Sequence, residues 1–424
     1  MKASRKSLRD FLSAINFVRT AGTEGERRAA DSICAMLEGF GAAVERENFS
    51  LPVGRTEHAA LEVTAPYRKV YNAAAVALSG STLEEGILAQ LKYAEDAEKA
   101  NLNGVSGSVA LINRLSPDIY GKVTKAGARA FITFSGSCTG TERDDLEVKN
   151  LRDTHLTFGA IPGINISARD AAELVRRSAS EVRITLRQQE IACESQNIVA
   201  EVRGTEFPEK RMICFVSHYD TVPFSPGMYD NGSGCAANYE LFRMFFRQLP
   251  RRTLRFIWFG AEERGLLGSK EYVRRHREEL ENCELIINID SSGLAIGSNK
   301  AFVTGDEEIC AVLRAYALEK GFPLETAQDV YSSDGIPFAD AGIPVVNFCR
   351  FGPDGSVGIH SRHDVSSQLD MKKLAEMTDF IFSFASMLAD PQLFPLKPGI
   401  PDNMRSLLDK HLRKDLLSAD KSKL

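Results

Sequence analysis

The chain has 424 residues, 43% of them hydrophobic, and a formal net charge of −5. That length and apolar content support a substantial core divided over more than one domain. The acidic balance and the lack of basic runs argue against a nucleic-acid or membrane-surface partner, and no stretch is long and apolar enough to span a bilayer as a helix.

The N-terminal stretch MKASRKSLRDFLSAINFVRT places Leu8, Phe11, Leu12, Ile15 and Val18 on one helical face. Ser13 and Asn16 interrupt its apolar run and no small-residue cleavage site follows. It therefore reads as a first amphipathic helix of the fold rather than a signal peptide. A second helix, capped by Thr23 and carrying Ile33, Met36, Leu37 and Phe40, is stopped by Gly39 and Gly41, and AAVERENF follows as a strand. From 52 to 190 short β-like runs (SVALINR, ARAFITFS) alternate with helical pieces (DIYGKVTKAGA, ARDAAELVRRSA). No catalytic constellation is visible there. His58 and His155 stand alone and read as surface or core residues.

After CESQNIVAEVRG the texture becomes strongly α/β. RMICFVS, LRFIWFGA and ELIINID read as buried strands, separated by the helices SGCAANYELFRMFFRQL, capped by Ser233, and GSKEYVRRHREEL. Alternation of this kind implies a mainly parallel sheet covered on both faces, with ligands bound beyond the carboxyl ends of its strands. The tail, residues 394–424, opens as a Pro/Gly linker and continues as a charged helix. The eight Cys are scattered without CxxC spacing, and several sit in apolar runs, as buried reduced thiols do. The cysteine usage and the unconvincing leader give an expectation of a cytoplasmic protein.

The polar residues that matter fall at the strand ends: His218 and Asp220 after the first, Asp230 in YDNGSG, Glu262 and Glu263 after the second, Asp290 closing the third, and His360 in HSRHD. Any one alone is weak, since most single His and paired Glu residues are solvated or structural. Together, at one edge of one predicted sheet, they form a set of N and O donors suited to two divalent metals, favouring Zn²⁺, with Co²⁺ and Mn²⁺ as alternatives. Asp220, two residues past His218, is placed to hold the far imidazole nitrogen, and Asp364 to do the same for His360. His363 is a rival ligand to His360. At the end of a strand Glu262 and Glu263 point to opposite sides, so one can ligate while the other takes a proton from water.

HYD, YDNGSG, AEERGLLGS, NIDSSG and IHSRHD resemble the co-catalytic zinc aminopeptidases, of the bacterial leucyl aminopeptidase and aminopeptidase Y type. The resemblance implies a zinc-exopeptidase fold, a phosphorylase/hydrolase-like three-layer αβα sandwich. It implies one metal on His218, Asp230 and Asp290 and another on Asp230, Glu263 and His360. Asp230 would bridge, and Glu262 would be the general base. It also implies a cis peptide bond after the bridging Asp, at Asp230–Asn231. LKYAEDAEKANLNGVSGSVALINR, YGKVTKAGARAFITFSG and IPGINISARDAAEL resemble a protease-associated (PA) domain, small and β-rich, which restricts access in part of the family. The domain expectation is therefore 1–51 with 191–393 as the peptidase, 52–190 as the insertion and 394–424 as linker and helix. Relatives often carry His after the SD that stands here in SSDGIPF, where this chain has Gly335, and Tyr331 lies near where some use a Tyr to stabilise the oxyanion.

The function implied is removal of N-terminal residues from peptides. A related reading comes from HYDTVP, which also resembles the HxDxVP of zinc deacylases and carboxypeptidases. Those insert their extra domain after the paired Glu, whereas here it comes before His218, which favours the aminopeptidase. A third reading, a catalytically dead peptidase-fold binding protein, sits poorly with five ligands all kept.

Overall fold

The computed structural model describes residues 1–139, 145–354 and 356–420; residues 421–424 of the expected tail lie outside it. The chain forms two compact units. The first comprises Met1–Leu51 and Glu194–Leu412, and the second Pro52–Cys193 with the segment from Arg413.

In the first unit the strand Met212–Val216 alternates between two cores. Ile213 and Phe215 pack on one face with the helices Arg5–Ala14, Glu24–Glu38, Ser233–Arg247, Glu307–Glu319 and Met371–Ala389. Met212, Cys214 and Val216 pack on the other with Leu267–Arg275, Gly335–Asp340 and Asp402–His411. A strand apolar on both faces is what a sheet sandwiched between helix layers requires. The strand order is Glu325–Gln328, Ser298–Thr304, Val345–Phe351, Cys283–Ile289, Phe207–His218, Arg252–Phe259 and the 198–202 end of Glu181–Val202. Pairing is parallel except where Ser298–Thr304 meets Val345–Phe351 and where Arg252–Phe259 meets 198–202. Phe207–His218 has the next two strands of the chain on opposite sides. The winding reverses there, and a crevice opens at the carboxyl ends.

Several expected boundaries move. The first helix ends at Ala14, and Val18 is 40% exposed rather than on its buried face. The chain turns instead, because the Arg19 side chain takes the carbonyls of Ile15 and Phe17. Ser233 is inside its helix rather than capping it: its hydroxyl donates to the Tyr229 carbonyl and accepts from Ser292 N–H. Thr23 stands at the N-cap of Glu24–Glu38 without a side-chain capping bond. In the tail, Asp402–His411 buries Met404 and Leu408 against the first unit, whereas Lys414–Asp420 falls with the second. Among the eight free cysteines, Cys138 is exposed and Cys193 half-buried; the other six are buried.

The second unit has its own mixed sheet, in the order 181–184 of Glu181–Val202, Ile87–Glu95, Val109–Ile112, Ala130–Ser135, Gly163–Ser167, Ala74–Ala77 and Lys149–Asn150. The helices Pro117–Lys125 and Ala168–Arg176 pack on it. Gly163 is required by close packing, since a Cβ there would lie 2.1 Å from Phe131 Cζ. His58 is exposed, and His155 is a core residue that accepts Arg152 N–H at Nδ1 and packs edge-on to Tyr120.

Candidate metal centre

His218 ends its strand at the crevice and is 2% exposed. Its Nε2 lies 3.2 Å from Asp230 Oδ1 and 3.8 Å from Asp290 Oδ1. The other oxygen of Asp230 faces the opposite way: Oδ2 is 3.0 Å from His360 Nε2, which is 3.5 Å from Glu263 Oε2. Two groups able to hold a cation therefore share one carboxylate, His218–Asp230–Asp290 and Asp230–Glu263–His360, with the ligand atoms of each within 4.8 Å of one another. His360, not its rival His363, closes the second group.

The backbone that delivers these ligands is irregular. The peptide Asp230–Asn231 is cis. Asn231 holds the turn, with Nδ2 donating to Ile289 O and Oδ1 accepting from Gly234 and Ser291 N–H. Gly227 (φ +55°) has no room for a side chain, as a Cβ would sit 2.3 Å from Thr221 Cγ2 and 2.6 Å from Asp230 O. The expectation that Glu262 and Glu263 lie in an extended segment fails. The strand stops at Phe259, Ala261 is left-handed (φ +57°), and Glu262 opens a turn whose carbonyl accepts from Gly265 and Leu266 N–H.

Of the supporting aspartates, Asp220 does approach His218 but also holds other groups, whereas Asp364 departs from expectation. Asp220 keeps its carboxylate Oδ1 3.6 Å from His218 Nδ1, and the closer contact, 3.3 Å, is its backbone carbonyl. Its two oxygens accept the backbone N–H of Glu262 at 3.0 Å and of Glu263 at 3.2 Å. Asp364 likewise accepts Tyr229 N–H at 2.6 Å and Asp230 N–H at 3.0 Å rather than serving His360. Each buried acid thus grips two consecutive amides next to a ligand. Asp334 is a further buried acid that the sequence reading passed over. Both its oxygens lack a hydrogen-bond partner among the described residues.

The electrostatics fit cations. Burial, with the neighbouring charges of Glu263, Asp334 and Asp290, holds Glu262 well above the usual carboxylate range. Burial and the Asp230 charge push Glu263 up to about 8, and burial takes Asp334 to about 7. The His218 imidazole, which burial would lower, is instead held well above its ordinary value by Glu262, Asp220, Asp230 and Asp290. Buried carboxylates at this density are stable only when paired or coordinating a metal. The donors are imidazole and carboxylate with no thiolate, and the shared Asp230 has one oxygen for each group, so the residues fit divalent metal ions of the kind such donors hold.

Comparison with known proteins finds similar peptidases. Residues 197–385 match the model of peptidase family M28. The chain is 28% identical to aminopeptidase YwaD of Bacillus subtilis over 376 residues, spanning 86% of this chain and 79% of that protein. It is 27% identical to bovine carboxypeptidase Q over 229 residues, covering only 47% of that protein. The fold superposes on BSAP, a zinc aminopeptidase from Bacillus subtilis, with a TM-score of 0.76, 26% identity, and coverage of 94% and 97% of the two chains. All five expected ligands lie within the first unit, and the mixed α/β fold with its mostly parallel sheet is consistent with that of BSAP.

Gly335, where relatives often carry His, packs against the next strand: a Cβ would lie 2.4 Å from Val345 Cγ1. Tyr331 stacks on Phe302, with ring centroids 5.4 Å apart, and burial beside Asp290 raises its phenol well above the ordinary value.

Proposed function

We propose that the protein is a metal-dependent aminopeptidase that hydrolyses the N-terminal peptide bond of peptides through a dinuclear zinc centre. The observation that carries this reading is the pair of cation-binding groups sharing Asp230 at the sheet's switch point. Its support from relatives is the match to peptidase family M28 and the similarity to zinc aminopeptidases.

His218, Asp230 and Asp290 would hold one ion, and Asp230, Glu263 and His360 the other. Bound there, the metals supply Lewis-acid polarisation of the scissile carbonyl and acidify water, towards a pKa of about 7. Glu262 takes the proton of the attacking water and returns it to the leaving amine. Asp220 fixes the turn that presents Glu262 and Glu263. Tyr331 donates to the developing oxyanion, its phenol kept protonated by burial. The second unit stands outside the chemistry, and we assign it the role of a protease-associated domain.

The reading is tested by incubating the zinc-loaded protein with a peptide library, half with free and half with acetylated N-termini, followed by mass spectrometry. Stepwise loss of N-terminal residues from the free peptides alone is expected. C-terminal trimming or loss of the acetyl group would replace it with a carboxypeptidase or deacylase.

A further inference from the structure

Arg19 is fully buried, and its guanidinium donates to five backbone carbonyls. Nε reaches Tyr219 O at 2.6 Å; Nη1 reaches Ile15 O at 2.7 Å, Phe17 O at 3.0 Å and Pro226 O at 2.6 Å; Nη2 reaches Gly227 O at 3.0 Å. Its own amide donates to Thr221 Oγ1 at 2.9 Å, and its carbonyl accepts Thr221 N–H at 3.3 Å. Tyr219 directly follows His218, and Gly227 lies just before Tyr229 and Asp230. One side chain therefore grips both ends of the loop that separates the first two expected metal ligands. It comes from the segment ahead of the second unit, so the loop is closed only once that segment has docked.

The charge matters as well as the shape. Burial pulls the guanidinium down from its ordinary value, opposed by Cys235 and by the carboxylates of Asp220, Asp364 and Asp230. Asp220 and Asp364 are the two acids that hold the amides of Glu262–Glu263 and Tyr229–Asp230. Arg19 is thus the cation beside both supports. A lysine cannot replace it, because an ammonium is a point charge with three donors, whereas the planar fork offers five in fixed directions.

We infer that Arg19 is a positioning residue for the dinuclear centre, fixing the spacing of His218 and Asp230 by clamping the 219–227 loop. This rests on the reading of those residues as metal ligands.

The test is metal affinity, measured on the full chain with Zn²⁺ and Co²⁺ in competition with a chromogenic chelator, and with the Co²⁺ visible spectrum as a report of ligand geometry. Arg19→Lys is expected to bind both ions about 10–100-fold more weakly, the usual effect of losing a group that supports a ligand, and to shift the Co²⁺ spectrum. Leu313→Ala is the control. Leu313 is buried against the helix layer and its truncation lowers thermal stability without touching the loop. It should leave affinity and spectrum unchanged. If Arg19→Lys does not fold, Thr221→Val removes the acceptor of the Arg19 amide and should shift affinity in the same direction by less. Wild-type affinity in Arg19→Lys, or in Thr221→Val where that variant stands in, or a shift no larger than in Leu313→Ala, overturns the inference. A wild-type protein that binds neither ion overturns the metal reading itself, so the two failures are distinct.

Discussion

The two units use similar materials for different ends. Both build sheets with parallel cores of Val, Ile, Leu and Phe, and both bury polar residues. In the second unit the buried polar side chains are mainly hydroxyls and amides that close local turns, such as Ser79 to Val76 O and Ser108 to Val105 O. In the first, besides many hydroxyls and amides, the buried carboxylates of Asp220, Asp230 and Asp290 and the His218 imidazole are gathered at one sheet edge, and both groups able to hold a metal lie there among the described residues. Neutral polar groups can be satisfied by the nearest backbone. Buried charges need a distant partner or an ion, and that demand turns a sheet edge into a site.

The sharpest way to separate the units is Glu262→Gln. Turnover of an N-terminal amino-acyl anilide should fall by about 10²–10⁴-fold while metal content and thermal unfolding stay as in the wild type. Retained kcat would remove Glu262 from its role. The complementary change is Phe131→Ala in the core of the second unit, where the ring is fully buried. It should cost about 3–5 kcal/mol in denaturant unfolding with zinc affinity unchanged. A drop in zinc affinity would show that the division of labour is wrong.

Asp364→Asn keeps the shape of the support but loses the charge that two amides share. Chelator competition should show about 10–100-fold weaker metal binding, with little change in melting temperature.

The remaining effects are on pH dependence, and they have opposite signs. In the first unit burial and the Asp220 charge raise Glu26 to about 8, against the hydrogen bond from Ser195. The native state then holds a proton that the unfolded chain releases near 4.5. Its contribution to stability is complete below that pH and is lost as pH rises through about 8. In the second unit burial lowers His155 to about 4, from an ordinary 6.5. Its contribution is complete above 6.5 and is lost as pH falls through about 4. Each slope is at most about 1.4 kcal/mol per pH unit. Glu26→Gln should flatten the first and His155→Gln the second in urea unfolding followed across pH. Slopes of equal sign would contradict the assigned environments.

Much of the candidate metal centre was legible in the sequence because its signal is residue identity at strand ends. The alternation of apolar strands and amphipathic helices sets the sheet, the sheet has one carboxyl edge, and His218, Asp230, Glu263, Asp290 and His360 all fall on it. The roles of the supporting aspartates were legible only in part. Spacing pointed Asp220 at His218, which its carboxylate does approach at 3.6 Å, and Asp364 at His360, which it does not serve; both carboxylates also bond to backbone amides that every residue possesses and no sequence marks. Arg19 and Glu26 escaped for the same reason. Their partners are carbonyls, an amide and a serine, several of them brought near only by folding across the inserted unit. By itself the sequence determined the layer architecture and the chemical type of the ligands, because periodicity and donor chemistry are local properties. Only the tertiary structure decided which groups hold those ligands still, because a buried acid or guanidinium must find its partners wherever the packed chain happens to leave them.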